Sequence, residues 1–262
     1  MFIVAVYGWQ KEEALVAKTI ADMLGTVVFE ARQKISGGGP AVLASFADPQ
    51  QAQALAANLS REGVPALLID SAVVRSRNLT LYVHRFVPGP QTLLVESPDG
   101  TSSVIDYAAI DLLLVATGSS GQTQTTSTVT ERKFSLGKTL LSGGIPMTKK
   151  VKQEVTVKVE ERDETLWLYA RGREPVIFGR SAMNYNGLGD AMQFTRDLNF
   201  AYLKNELRRR APQAVYDDRL LKRPALVRLL GPALSPETDL DLAFEILARS
   251  LQEKPATASA TT

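Results

Sequence analysis

The chain has 262 residues, 45% hydrophobic and 22% charged, with 30 Lys and Arg against 28 Asp and Glu, one His and no Cys. That is ordinary globular composition, long enough for two domains, and a net charge of +2 leaves any attraction to anionic polymers to local clusters. The lack of cysteine excludes disulfides, thiolate nucleophiles and cysteine-held metals.

Residues 2–7, a short run of β-formers closed by Gly8, read as a strand buried on both faces. No basic residue precedes that run and it is too short for a secretory core or a membrane span, so a cytoplasmic location is expected. Ala14, Leu15, Ala17, Lys18, Ala21 and Leu24 then recur at helical spacing, and Gly25 is placed to end that helix. Residues 26–35 return to strand composition, Ser36-Gly37-Gly38-Gly39-Pro40 interrupt it, and residues 41–46 resume it. Asp48 as N-cap and Pro49 at the first helical position open a helix to Arg61, with Ala52, Leu55, Ala56 and Leu59 on one face. Gly63 stops it before a strand over 64–70.

The resulting order β-α-β-β-α-β is the split βαβ arrangement, and in topology it resembles ferredoxin-like folds. Such modules include small-molecule sensors, RNA binders and pairing domains. A sheet of this size exposes an unpaired edge, so a homodimer is one expected state. The glycine run leads into a strand and has no helix dipole behind its amides, so it reads as a hairpin turn rather than a phosphate cradle.

Residues 71–78, with Arg75 and Arg77, link this module to the next. Strands are expected over 79–87, 92–96 and 103–107, separated by turns at 88–90 and 97–100, and the most apolar run, 110–116, reads as a central strand. Residues 117–130 are Gly, Ser, Thr and Gln apart from Val129, a composition expected to form a mobile loop. Residues 131–136 rejoin the sheet and 141–146 are irregular. From 151 to 178 the chain reads as a hairpin: Val155, Val157 and Val159 alternate with Thr156, Lys158 and Glu160, the charged run 160–164 turns, and a second apolar series follows. Residues 175–178 add a last short strand, and Thr195 caps a helix through Arg210 whose apolar stripe is Phe200, Leu203 and Leu207.

About seven antiparallel strands and one helix over 79–211 resemble a pleckstrin-homology-like (PH-like), partly open barrel stoppered by its helix. A split Greek-key barrel of another kind satisfies the same pattern. Residues 215–230 read as a leucine-rich helix divided at Pro224, and Ser235-Pro236 start a last helix with Leu240, Ala243, Phe244, Leu247 and Leu251 on one face. That helix packs on the two domains or in a partner's groove. The expected fold is therefore α+β, with a ferredoxin-like domain at 1–71, a PH-like barrel and capping helix at 78–211, a helical extension at 212–253 and a disordered tail at 254–262.

Chemistry has few carriers. Gly137-Lys138-Thr139 matches only the end of a phosphate-binding loop, because Arg132 stands where its first glycine belongs. The sole histidine, His84, lies in an expected strand with no acid or nucleophile at a supporting spacing, and paired carboxylates such as Glu160-Glu161 and Asp217-Asp218 read as solvated turns and caps. No catalytic, cofactor or metal residue is assigned. The cluster above background is basic: Arg132, Lys133, Lys138, Lys149, Lys150 and Lys152, opposed locally by Glu131 alone. It fits either the phosphates of anionic lipid or nucleic acid, or charges that protect an exposed edge from aggregation. Arg208-Arg209-Arg210 end a helix, where the dipole favours cations. The leading expectation is a non-enzymatic adaptor or regulatory protein whose partner is another protein, followed by an anionic-ligand module using 132–152, and then by an enzyme of unassigned class.

Overall fold

The computed structural model describes residues 1–77, 81–134 and 148–253, with side chains described outside 119–162. The chain forms two compact units, Met1–Gly118 with Asp163–Thr262 and, separately, Ser119–Arg162. It is a mixed α+β protein with three sheets, and among the described residues no helix is long and apolar enough to cross a membrane.

The chain begins with β1 (Phe2–Val6), α1 (Glu13–Leu24), α2 (Val28–Ile35), β2 (Ala41–Phe46), α3 (Pro49–Arg61), β3 (Ala66–Asp70) and α4 (Ser71–Arg75). β1 is central and antiparallel to both neighbours. Its alternation serves two interiors: Ile3 and Ala5 face one, Val4 and Val6 the other, and all four are fully buried. α1 ends where expected, on Gly25 at φ 65°. α3 starts as expected too, with the Asp48 carboxylate accepting from the Gln50 N–H at 2.9 Å.

The strand expected over 26–35 is the helix α2. Its buried residues, Ala31 and Ile35, lie four apart while Val27 and Phe29 are exposed, so the apolar spacing that decides is helical. The order is β-α-α-β-α-β, and the sheet has three strands, β2-β1-β3.

The next elements are β4 (Leu81–Val83), β5 (Arg85–Pro88), β6 (Thr92–Glu96), β7 (Ser102–Asp106), β8 (Ile110–Phe134), β9 (Thr148–Ala170) and β10 (Val176–Gly179). They are followed by α5 (Arg196–Arg210), β11 (Val215–Leu220), α6 (Arg223–Leu230) and α7 (Leu240–Gln252). The strands form a sheet β11-β8-β9-β10-β4 and a meander β5-β6-β7. This is not a closed barrel, and it is not wholly antiparallel: β4 runs parallel to β10, and β11 parallel to β8. α5 lies in the long connection that brings β11 back parallel to β8, and the chain from β4 to β10 runs through the intervening strands.

Three local expectations are overturned. Residues 117–130, expected as a loop, continue β8 beside β9: threonines at 123, 125, 126, 128 and 130 are good strand formers, and ladder hydrogen bonds need no apolar side chain. The charged run 160–164 does not turn; β9 passes through it, and the chain reverses later, around Gly172 at φ 74°. Residues 215–220 are a strand rather than the start of a helix, because Val215 and Tyr216 pair with Leu112 and Leu113 of β8. Pro224 accordingly begins α6 instead of dividing a helix. The irregular piece expected at 141–146 and the tail at 254–262 lie outside the described residues.

Thr195 caps α5, its Oγ1 accepting from the Leu198 N–H at 3.2 Å. Phe200, Leu203 and Leu207 are each 1% exposed, packed with Phe86, Leu93 and Ile105 of the meander and Leu113 and Phe178 of the larger sheet. α7 is buried nearly all round, as suits a middle layer. Its Leu242, Phe244 and Leu247 share one core with Ile3 and Ile69 of the first sheet and Leu112 and Leu114 of β8. Trp167 stacks on Phe244, ring centres 4.2 Å apart.

Candidate functional site

The meander β5-β6-β7 has one buried face and one open face. Phe86, Leu93, Val95 and Ile105 point into the core, so strand alternation sends their neighbours outward. Register then aligns Val87 with Leu94 and Leu94 with Val104, a cross-strand row of three aliphatic side chains that are 52%, 42% and 62% exposed. Polar positions flank the row: Arg85, Glu96 and Ser102 on one side, with Arg85 and Glu96 paired at 3.9 Å, and Thr92 and Asp106 on the other. An apolar centre inside a polar rim is the anatomy of a protein-binding face. Composition alone hid it, because Leu93, Leu94 and Val95 are three consecutive apolar residues and do not distinguish the two faces of their strand. The signal available was the alternating Ser102, Val104 and Asp106 of the neighbouring strand, which places an aliphatic residue on the polar side.

A cavity of about 450 Å³ is bordered by His84, Ser181, Asn184 and Gln193. Its reactive-looking groups are engaged elsewhere. His84 Nδ1 lies 3.3 Å from the Ala182 carbonyl, and the Ser181 hydroxyl donates to Asp163 at 2.5 Å. Asp163, in the charged run read from sequence as a turn, is buried and accepts also from the Ser181 and Glu164 N–H groups and from Arg180 Nε, each at 3.0 Å. Burial pushes its carboxyl up, but the bonds from Ser181 and Arg180 outweigh this and hold it below the ordinary carboxylate range.

A second charged knot joins α7 to the linker after α4. Arg77 donates twice to Glu245, at 2.7 and 3.1 Å, and Arg249 Nε donates to the same carboxylate at 2.7 Å. The Glu245 side chain is 5% exposed. Burial pushes this carboxyl up as well, and the hydrogen bond and charge of Arg77, with those of Arg249, more than reverse it.

The basic residues singled out in the sequence divide. Arg132 and Lys133 lie on β8 and Lys149, Lys150 and Lys152 on β9, which are hydrogen-bonded neighbours, so the topology brings the two runs onto adjacent strands. Lys138 lies outside the described residues. Arg209 and Arg210 are spent locally on Glu206, at 2.7 and 2.5 Å, whose carboxyl the hydrogen bond from Arg209, against burial and with help from Arg210, pulls down to about 2. Arg208 lies over the Tyr216 ring at 4.2 Å. Among the described residues no group of His, Asp and Glu is placed to hold a metal. Compared with known proteins, the chain matches no family model, no curated protein and no solved structure.

Proposed function

We propose that the chain is a non-enzymatic adaptor or regulatory protein of the cytoplasm, and that a partner protein seats an apolar surface on the open face of the meander. The observation that carries this is the row Val87, Leu94 and Val104 inside its polar rim. In the same reading residues 1–71 are a ferredoxin-like module whose edge strand is replaced by α2. Its support is the central β1, antiparallel to both neighbours. Residues 78–211 are a PH-like, partly open barrel with α5 as stopper, followed by the extension 212–253 and the tail 254–262. Burial of Phe200, Leu203 and Leu207 between two sheets supports that assignment.

The test is the double variant Leu94→Glu, Val104→Lys, which alters only exposed side chains. A partner crosslinked to the protein in its own cells and then purified should bind the variant at least about tenfold more weakly, as hot-spot truncations do. Equal affinity for both forms removes the proposal. If the occupant is a second copy, light scattering gives a dimer for the unmodified chain and a monomer for the variant.

A second reading, binding of anionic lipid or nucleic acid, is favoured by the placement of Arg132, Lys133, Lys149, Lys150 and Lys152 on two adjacent strands. Replacing Lys149, Lys150 and Lys152 with Glu should abolish retention on anionic liposomes or RNA. Retention that is unchanged and insensitive to salt removes this reading.

A further inference from the structure

The glycine run between α2 and β2 borders a cavity of about 280 Å³ that closes against β11 and α6. Three cationic side chains reach it from three elements: Lys34 of α2, Arg219 of β11 and Arg228 of α6. Among the described residues no acidic side chain lines it. Arg219 is held by Asp217 at 2.6 Å and also points Nη1 at the Gly39 carbonyl, 3.4 Å away. Lys34 donates to the Leu43 carbonyl at 3.2 Å, which fixes its ammonium without neutralising it. Arg228 has no hydrogen-bond or ion-pair partner among the described residues. Once Asp217 is set against Arg219, the charges of Lys34 and Arg228 remain unmatched.

The loop is shaped for this approach. Gly37 has φ 97°, a conformation side chains resist, and a Cβ there would run into the Arg228 guanidinium. A Cβ on Gly39 would meet the Trp9 ring. Glycine at 37 thus lets the backbone come against the Arg228 guanidinium, and glycine at 39 lets it come against Trp9.

We propose that this cavity binds the phosphate group of a small, soluble phosphate monoester. A dianion matches the two unmatched charges. Its tetrahedral oxygens suit donors converging from three elements better than the two in-plane oxygens of a carboxylate do, and guanidinium forks are the usual partners of phosphate. The volume holds about nine waters at roughly 30 Å³ each, room for a phosphoryl group and a short carbon chain. The face proposed for a protein partner is elsewhere, on the meander, so the two proposals stand or fall separately.

Calorimetry with inorganic phosphate, glycerol 3-phosphate and glycerol on the full chain tests it. The two phosphates should bind saturably, more weakly as salt rises, and glycerol should not bind. Arg228→Ala should weaken glycerol 3-phosphate by about tenfold or more, the usual effect of one charge-assisted hydrogen bond, and Arg228→Lys by less. Gly37→Ala should weaken it too, and because that backbone is strained, circular dichroism must first show it folded. In amide NMR spectra the signals of residues 36–41 should move with phosphate in the unmodified chain and stay still in Arg228→Ala. Lack of saturable binding, equal binding by Arg228→Ala, or retention on phosphatidate vesicles without binding of the soluble ester would each overturn the assignment.

Discussion

Two clusters of charge, one around α7 and one beside α6, use the same residue types to opposite ends. At Glu245 two arginines converge on one buried carboxylate, and each partner's charge is spent inside the protein. At the glycine loop two cations face a cavity with no carboxylate to receive them. The first arrangement stabilises only as a complete set, since removal of one member leaves an uncompensated buried charge. The second adds little to stability, and its unmatched charge is available to a ligand. Pairing, rather than the number of cations, separates a structural cluster from a binding one.

The largest expected effect breaks the first cluster. Glu245→Ala leaves Arg77 half-buried without its main partner and should cost about 3–5 kcal/mol in urea denaturation. Combining Glu245→Leu with Arg77→Met should recover part of that loss, because the apolar pair avoids desolvating either of those charges while the more exposed Arg249 turns its guanidinium to water. If the double variant is as unstable as the single one, the cluster matters through packing and not through charge.

Acid titration gives the next effect. Glu245 and Asp163 both have carboxyls held below their ordinary values in the folded chain. Each therefore contributes stability that is fully present above the unfolded pKa, about 4, and is lost as pH falls through the lower folded value. The unfolding free energy should be level with respect to these groups from about pH 7 to 5 and decline below about 4. Glu245→Gln should flatten part of that decline, and an unchanged slope would show that the carboxylate gains nothing from Arg77.

How much of this was legible in the sequence follows from which interactions are local. Asp48-Pro49, Gly25 and Thr195 mark helix ends through bonds to residues two to four positions away, and each held. The stripe Phe200, Leu203 and Leu207 needed only helical period. What failed depended on distant partners. Residues 215–220 are a strand because β8 lies alongside, and residues 160–164 pass straight on because Arg180 and Ser181 receive Asp163. The glycine run shows the limit clearly. Its neighbours in sequence exclude a helix-dipole phosphate loop, and Arg219 and Arg228, which change its meaning, come almost two hundred residues later.

The smallest expected effect sharpens the comparison from the other side. Arg228 is exposed and makes no ion pair among the described residues, so Arg228→Ala removes no satisfied interaction and creates no buried orphan. Its stability should stay within about 0.5 kcal/mol of the parent, as for surface substitutions generally. The guanidinium beside Gly37 sits in the field of Lys34, so its removal also relieves a repulsion. Relief of that repulsion should appear as a slight gain at low salt that vanishes near 1 M salt, where the screening length falls to about 3 Å. A loss of more than about 1 kcal/mol would place Arg228 with Glu245, as a side chain that holds the fold together rather than one left free for a ligand.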